Sequence, residues 1–412
     1  MDHREVLQHL FRAALDRVGG RPAVRHALEQ DPPAGDVHLL AIGKAAAAMS
    51  QGAMDALGEG LISGLVITKT DHLSHAVSDE PRLRCLEAAH PVPDQRSLAA
   101  GEAAVEFLES LPEGDEVLLL ISGGASSLVE RLPEDLTADH LAELNRWLLG
   151  RHLAIDAMNA VRRSVSRIKG GRLALHLNGR PARLYLVSDV PGDDPTVIGS
   201  GLFVPGQSAA ALPEGVPDWV RDAAARVPPP PREDAPELAG LQRRIVARNA
   251  DAIAAVRDRA ERLGLPVRVH DDQLTGDALR AGEQIAQALI HGPPGVQVWG
   301  GETTVALPDE PGQGGRAQAL ALTGAACMEG YRGLWLLAAG TDGTDGPGDA
   351  AGALVDVQTC FRGRQAGLDP EDCLEAADSG RFLDASGDLL RTGPTGTNVM
   401  DIVIGYREEP RG

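Results

Sequence analysis

The hydrophobic positions of the chain follow a helical spacing at the N-terminus and then form short continuous runs. Apolar residues recur at the three- to four-residue spacing of a helix face, which predicts an amphipathic helix: Leu7, Leu10, Phe11, Ala14, Leu15 and Val18. Apolar runs typical of buried strands follow at residues 37–42, 64–68, 117–121 and 182–187, separated by helical patterns at 44–57, 94–111 and 138–149. Strands that alternate with helices predict a parallel sheet covered on both faces.

Four consecutive prolines, residues 228–231, interrupt this alternation. Neither a helix nor a central strand continues through such a run, so we predict a stiff linker over residues 228–240. Beyond it, strands are predicted at 243–247, 267–270, 296–299 and 333–338, and helices at 251–263, 275–291 and 316–328. The pattern therefore predicts an α/β fold with mainly parallel sheets in two domains, residues 1–227 and 241–412, and residues 356–390 give the weakest signal.

The charge composition excludes several kinds of partner. The 412 residues include 39 Lys and Arg against 59 Asp and Glu, a formal net charge of −20. Such a chain repels a phosphate backbone, so we expect no nucleic acid and no anionic membrane as partner, and a small anionic substrate only in a locally basic cleft. The N-terminus has no apolar leader, and no apolar run approaches the ~18 residues of a membrane span.

Cysteine usage bears on the compartment. The four cysteines, Cys85, Cys327, Cys360 and Cys373, form no CxxC pair, which argues against a zinc knuckle or a disulfide scaffold. A reducing cytoplasm fits this pattern best. The sequence leaves the oligomeric state open, a homodimer included.

Only three lysines occur, Lys44, Lys69 and Lys169, and none has the neighbours that a P-loop requires. Lys44 lies where a predicted strand ends and an alanine-rich helix begins. Because nearly all cations of the chain are arginines, a lysine at this position indicates a site that requires a compact ammonium charge. The alternative is a solvated surface lysine. Lys169, in an Arg-rich stretch before paired glycines, is a second candidate for holding an anion.

A serine- and glycine-rich segment directly follows the strand at 117–121. It comprises Ser122, Gly123, Gly124, Ala125 and Ser126. Paired glycines let backbone N–H groups turn toward an anion, and the serines add hydroxyl donors, which together form a phosphate cradle in principle. A tight strand-to-helix turn without a ligand has the same composition, so both interpretations stay open.

Three carboxylates follow the strand at 182–187 within six residues, namely Asp189, Asp193 and Asp194. They repel one another unless a cation lies among them, and hard oxygen ligands of this kind suit Mg²⁺. The alternative is a solvated loop built from Asx turns.

The second half of the chain adds further loops dense in Gly, Thr and Asp. Candidate ligand-binding residues in them are Gly300, Gly301, Glu302, Thr303, Asp342, Thr395 and Asn398. Arg316 opens a predicted helix, where the helix dipole and the guanidinium both favour an anion. A GxGxxA match at residues 346–351 is a poor dinucleotide fingerprint, because the preceding loop separates it from the strand and no acidic residue on a clear strand end follows about 20 residues later.

Taken in order, the segments AIGKAA, EAAHPVPD, LISGGASSL, NAVRRSVSRIKGGRLA, VSDVPGDDPTVIGSG, GGETTV, GGRAQALAL, AAGTDGTDGPGDAAGA and TGPTGTNVMDI resemble the glycerate 2-kinase family. The resemblance runs from about residue 5 to 405. It implies a Rossmann-like N-terminal domain, a smaller C-terminal MOFRL domain at about residues 295–405, and a cleft between them. It also implies ATP-dependent phosphorylation of D-glycerate to 2-phosphoglycerate with Mg²⁺.

Carried over by motif, Lys44, Arg316 and Asp189 match active-site positions of the family, and the loops at 122–126 and 300–303 match glycine-rich segments that face the cleft. In the expected mechanism, the glycine-rich loops and Mg²⁺ bind the ATP phosphates, and Asp189 accepts the hydroxyl proton. Asp193 or Asp194 is among the metal ligands, directly or through water, and which of the three aspartates holds the metal stays open. Lys44 and Arg316 would flank the transferring phosphoryl group and the glycerate carboxylate.

Two departures from the family pattern affect this expectation. The family usually reads GGRNQE where this chain has Ala317 and Ala319, and GEA where it has Thr275-Gly276-Asp277-Ala278. Ala317 and Ala319 leave open a non-catalytic relative that binds a sugar acid or nucleotide. The second alternative is an NAD(P)-dependent hydroxypyruvate reductase, as such proteins were formerly described.

Overall fold

The computed structural model describes residues 2–151, 155–206 and 212–409. They form two compact units, one from Gly20 to Ala247 and one that combines the segment ending at Gly19 with the chain from Arg248 onward. Each unit contains one six-stranded sheet covered by helices, so the predicted α/β class is confirmed. No helix in the described ranges has both the length and the apolar character needed to cross a membrane.

The unit from Gly20 to Ala247 contains a fully parallel sheet. The N-terminal helix α1 (His3–Val18) precedes this unit in the chain. The strands of the unit are β1 (Val37–Ile42), β2 (Leu61–Lys69), β3 (Leu83–Ala88), β4 (Glu116–Ile121), β5 (Ala182–Val187) and β6 (Leu241–Ala247). Its helices are α2 (Gly20–Gln30), α3 (Ala46–Leu57), α4 (His75–Ser78), α5 (Gln95–Ser110), α6 (Ala125–Leu128), α7 (Ala138–Leu149), α8 (Ile155–Val165) and α9 (Asp218–Arg226).

The strand order is β3-β2-β1-β4-β5-β6, which is the Rossmann order. All residues of β1 are buried, as expected for a strand that is covered on both faces. The order reverses between β1 and β4, so the loops after these two strands lie side by side at the point where open α/β sheets bind ligands.

The proline-rich segment lies inside this unit and does not divide the two units. Residues 228–240 connect α9 to β6, and β6 pairs with β5 along its length. The predicted boundary therefore differs from the structure, where the division falls at residues 247 and 248. The physical reason is that β5 would otherwise be an open edge, and a parallel partner has to arrive through a crossover connection.

The other unit contains a mixed sheet of order β11-β10-β9-β12-β8-β7. Its helices are α10 (Asn249–Arg262), α11 (Ala278–His291), α12 (Arg316–Met328), α13 (Thr359–Gln365), α14 (Pro370–Glu375) and α15 (Ser379–Ser386). Its strands are β7 (Val267–Val269), β8 (Gly295–Gly301), β9 (Leu334–Gly340), β10 (Gly352–Asp356), β11 (Leu389–Leu390) and β12 (Asp401–Arg407). Strand β12 inserts antiparallel between β8 and β9, and β10 is antiparallel to β9.

Helix α1 belongs to this second unit although it precedes the first in sequence. Its apolar stripe, which includes Leu7, Leu10 and Phe11, is buried except for Leu15, which is partly exposed. The Arg4 guanidinium binds the carboxylates of Asp356 and Asp388 at 2.9 Å each. An isolated helix of this length is marginally stable in water, so this docking accounts for its order.

Candidate functional site

The first group of candidate residues lies at the switch point of the parallel sheet. The Lys44 N–H donates to the Gly123 carbonyl at 2.9 Å, and the Ala45 N–H donates to Ser122 Oγ at 3.0 Å. The backbone at Gly43 has a φ of +137°, and a Cβ there would lie 2.1 Å from Ser122 Oγ. The structure thus brings the predicted lysine loop and the predicted serine-glycine loop into direct contact.

The Lys44 side chain lies beside the second glycine of that turn. A Cβ placed on Gly124 would be 3.3 Å from Lys44 Cγ and 3.0 Å from the His90 ring, and Gly124 adopts the left-handed region at φ +84°. A side chain here would be strained and would displace Lys44 or His90. His90 was not among the predicted site residues; it lies within the EAAHPVPD segment, which was the available signal.

The loop after β5 packs against the same turn but does not form the predicted three-carboxylate site. Among the described residues, no group of three Asp, Glu, His or Cys side chains is arranged to hold a metal. The Asp194 carboxylate instead accepts from the Thr196 N–H at 2.8 Å, which is an Asx turn. Asp189 and Asp193 are partly buried on the same loop. Mg²⁺ in proteins commonly uses one or two carboxylates together with substrate phosphates, and this loop could supply that smaller number.

Lys169 does not hold an external anion. Its side chain is 1% exposed and forms an ion pair with Glu130, while Nζ also donates to the Val129 carbonyl at 3.2 Å. Ser166 Oγ donates to the other Glu130 oxygen at 2.5 Å. Burial lowers the pKa of the Lys169 ammonium, and the Glu130 charge opposes that effect. The predicted second anion site is therefore wrong, because a buried lysine needs a carboxylate partner of its own.

The second group of candidate residues surrounds Arg316 at the start of α12. Arg316 Nε and Nη2 donate to the two Asp401 oxygens at 2.7 and 3.0 Å, and Nη1 lies 2.8 Å from Glu302 Oε1. Burial is the largest single influence on the pKa of Arg316 and lowers it. The hydrogen bond to Asp401 and the charges of Asp401 and Glu302 together outweigh burial, so the pKa is raised. Three of the five N–H donors of an arginine are thus engaged by carboxylates, which fix the direction of the guanidinium.

A further acidic residue, Asp345, caps the same helix. Its two oxygens accept from the N–H groups of Ala317 at 3.1 Å and Gln318 at 2.8 Å. Burial first, and then the charge of Asp401, raises the pKa of Asp345 to about 6. Sequence reasoning missed both Asp345 and Asp401; the repeated TDG in the segment from 341 to 346 was the only hint of the former.

The remaining predicted residues of this unit are held mainly by the backbone. The Thr395 hydroxyl donates to the Thr341 carbonyl at 2.5 Å, and the Asp342 carboxylate accepts from the Thr344 N–H and hydroxyl at 3.0 Å each. Thr303 is buried, and Asn398 is partly buried. These contacts place the loops at 341–347 and 392–400 together beside Asp401.

Gly300 and Gly301 are required by close packing within the unit. A Cβ on Gly300 would lie 1.9 Å from the Asn249 side-chain oxygen, and one on Gly301 would lie 2.4 Å from the Leu274 carbonyl. Both glycines therefore have a structural explanation that needs no ligand. The Glu302 N–H donates to the Leu274 carbonyl at 2.9 Å, which fixes the position of the carboxylate that meets Arg316.

The departures from the family pattern have simple structural counterparts. Ala317 and Ala319 are 2% and 4% exposed and belong to the apolar core around α12. The Asp277 carboxylate caps α11 by accepting from the Arg280 N–H at 3.0 Å. The GxGxxA segment leads into β10, which is a strand, so it does not form the strand-to-helix turn of a dinucleotide site.

Fold and sites together define a two-domain α/β protein whose C-terminal part is a MOFRL domain. Residues 6–216 match a family model described as a domain of unknown function, DUF4147, and residues 295–401 match the MOFRL family. The predicted MOFRL range of about 295–405 agrees with this match.

Relatives and a solved structure narrow the class. The chain is 35% identical to D-glycerate 2-kinase of Thermotoga maritima, with 90% of each chain covered. It is 37% identical to an Agrobacterium vitis protein provisionally named a hydroxypyruvate reductase, with 97% of this chain and 93% of that one covered. A crystal structure of glycerate kinase from Thermotoga maritima matches with a TM-score of 0.86 at 32% identity, over 98% of this chain and 99% of that chain. The chain belongs to the glycerate 2-kinase family.

Proposed function

We propose that this protein transfers the γ-phosphoryl group of ATP to the 2-hydroxyl of D-glycerate. The observation that carries the proposal is the contact between the Lys44 loop and the turn at 122–126 at the switch point of the sheet. An ammonium group beside a glycine-rich turn after a parallel strand suits an anionic ligand. The names of the Thermotoga maritima relatives support the same activity.

In the proposed reaction, the 2-hydroxyl oxygen of glycerate forms a bond to the γ-phosphorus as the bond from that phosphorus to the ADP oxygen breaks. Asp189 accepts the hydroxyl proton, and Lys44 offsets negative charge on the transferring group. Backbone N–H groups of Gly123, Gly124 and Ser126 bind phosphate oxygens, whereas those of Ser122 and Ala125 already donate to the carbonyls of Ile42 and Ser122. Phosphoryl transfer depends mainly on such positioning and charge neutralisation.

Arg316 is proposed as the cation of the second unit. Its bidentate bond to Asp401 holds the guanidinium in one orientation, and its two remaining N–H donors suit a carboxylate or phosphate oxygen. Glu302, Asp342, Thr395 and Asn398 border this group and are proposed to contact the ligand; the predicted interdomain cleft stays a prediction.

Mg²⁺ is proposed to bind through Asp193 or Asp189 together with the phosphates of the nucleotide. The ion would supply charge neutralisation on the phosphate oxygens. Asp194 is less suited than predicted, because one of its oxygens already accepts from the Thr196 N–H.

A coupled assay of ADP release tests the proposed function. We expect turnover with ATP and D-glycerate that depends on Mg²⁺, and little turnover with glycerol, which lacks the carboxylate. A matched experiment with NADH and hydroxypyruvate, followed by absorbance, tests the reductase. Oxidation of NADH without ADP release would replace the kinase proposal by the reductase, and binding of ATP and D-glycerate without either reaction would favour the non-catalytic alternative.

We propose a cytoplasmic protein, because the four cysteines are all free and two of them, Cys360 and Cys373, are buried. A homodimer would be detected by light scattering after size exclusion, and a single monomer peak would argue against it.

A further inference from the structure

Among the residues that the structure describes, Arg162 on α8 has no carboxylate partner. The side chain is partly buried, and burial lowers the pKa of its guanidinium. Within the described residues, its one hydrogen bond runs from Nη1 to the Asn159 side-chain oxygen at 3.5 Å, which is the outer limit of such a bond. An arginine that loses hydration without gaining an ion pair destabilises the folded chain, so this position calls for a reason other than stability.

The charges around Arg162 leave an excess of positive charge. Glu130 is the carboxylate whose charge acts on Arg162, on Lys169 and on Arg172. Both Glu130 oxygens are already engaged, one by Lys169 and the other by Ser166. The Arg172 guanidinium donates to the carbonyls of Pro228, Arg163 and Lys169 and has no carboxylate partner among the described residues. Among the described residues, Arg162, Lys169 and Arg172 therefore share one carboxylate, which Lys169 already pairs, and an anion would restore the balance.

The neighbours of Arg162 add polar groups that a hydroxy acid could use. Asn159 is 5% exposed, and its side-chain oxygen also accepts from Ser200 Oγ at 3.3 Å. The Asn159 amide nitrogen makes no hydrogen bond to a described residue. Among the described residues, two side-chain nitrogens are enclosed and lack a hydrogen bond, Trp219 Nε1 and Arg243 Nε. The Asn159 nitrogen is not one of them, so it is not enclosed. This N–H₂ group is therefore available to a ligand.

The same network reaches the turn that contacts Lys44. Ser200 Oγ lies 2.7 Å from Ser126 Oγ, and Ser126 belongs to the segment that begins at Ser122. Ser200 itself adopts the left-handed region at φ +58°, a conformation that costs a non-glycine residue energy. Arg162 thus connects through Asn159 and Ser200 to Ser126, while Lys44 lies beside Gly123 and Gly124 of the same short segment.

We propose that Arg162 and Asn159 bind the carboxylate of the hydroxy-acid substrate in the unit from Gly20 to Ala247. This inference rests on the proposed function and names the group that selects an acid over a neutral polyol. A guanidinium fork matches a carboxylate with two parallel hydrogen bonds, and an adjacent amide N–H₂ and serine hydroxyls suit the neighbouring hydroxyl of the acid. The polyphosphate of a nucleotide would instead require the backbone N–H groups of the glycine turn, Gly123 and Gly124, which lie beside Lys44.

Steady-state kinetics of Arg162→Met and Arg162→Lys test the proposal. Loss of a charge-assisted pair should raise the KM for D-glycerate by about 10- to 100-fold in Arg162→Met, with the KM for ATP unchanged within about twofold. Arg162→Lys keeps the charge without the fork, so it should recover part of the loss. Preference for D-glycerate over the neutral D-glyceramide, measured as a ratio of kcat/KM, should fall by a similar factor in Arg162→Met.

Stability gives a second readout that a structural role would not produce. Because Arg162 forms no ion pair with a described residue, Arg162→Met should melt at or above the wild-type temperature, whereas replacing an arginine with a structural role would lower it. The matched control is Arg146→Met on α7, an exposed arginine that forms no ion pair with a described residue, and it should leave both KM values unchanged.

The outcomes separate this inference from the proposed function. If the wild type fails to phosphorylate D-glycerate, the proposed function is wrong, and calorimetric binding of D-glycerate to wild type and Arg162→Met still tests the carboxylate site. Weaker binding to the variant supports the site, and equal binding, or none to either protein, overturns it. If the wild type is active, an unchanged KM for D-glycerate or a raised KM for ATP in Arg162→Met overturns it.

Discussion

Replacing Asp401 with Asn removes one of the two carboxylates that hold Arg316. The Asp401 side chain is 8% exposed and the Arg316 side chain 33% exposed, so the pair is only partly screened by water. Unit charges about 4 Å apart attract by about 4 kcal/mol at an effective dielectric constant of ~20. Glu302 still holds Nη1 in the variant, and water reaches the guanidinium, so we expect a loss of about 2 kcal/mol in the free energy of unfolding.

Calorimetric melting of Asp401→Asn checks this value. A loss of about 2 kcal/mol in a unit of this size lowers the melting temperature by roughly 4–8 °C. The control is Asp349→Asn, which breaks the contact with Arg391 at 3.1 Å; the Asp349 side chain is 80% exposed, and the expected loss is below about 0.5 kcal/mol. If both variants melt alike, the Asp401 pair contributes no more than a surface pair, and the reasoning is refuted.

Further predictions concern the charged groups of both units. Lys44→Arg keeps the charge but not the compact ammonium, and we expect kcat to fall by about 100-fold; near-normal turnover would contradict the role of Lys44. Glu130→Gln leaves Lys169 buried without a carboxylate, so urea unfolding should show a loss of about 3–5 kcal/mol, and a loss below about 1 kcal/mol would contradict the pairing. The folded pKa of Asp345, about 6, lies above its unfolded value of about 3.9, so its contribution to stability is greatest below pH ~4 and falls by roughly 3 kcal/mol as the pH rises through 6. Asp345→Asn removes this titration, so the difference in unfolding free energy between wild type and variant should change between pH 4 and 7, and a constant difference would contradict the raised pKa.

The sequence predicted the parts of the fold that depend on local pattern. Buried runs such as residues 37–42 and 117–121 became β1 and β4, and the loops after them meet because a parallel sheet aligns the carboxyl ends of its strands. Strand β3 is buried only at its two ends and partly exposed between them, so it lacks such a run and was missed. Strand β12 was missed because its place between β8 and β9 depends on pairing with segments more than 60 residues away.

The site residues show the same limit. Lys44 and the turn at 122–126 were predictable, since each directly follows a strand. Asp401 meets Arg316 across 85 residues of chain, a contact that only the sheet order creates. Composition also could not tell whether Lys169 faces a ligand or a buried carboxylate, because both settings place a lysine among glycines and arginines.

The most direct test of the proposed activity is phosphorus NMR of the product formed from ATP and D-glycerate. The account predicts one new phosphomonoester resonance, that of 2-phosphoglycerate, appearing together with ADP. A resonance of 3-phosphoglycerate, or formation of phosphate and ADP without a phosphorylated acid, would contradict the transfer to the 2-hydroxyl.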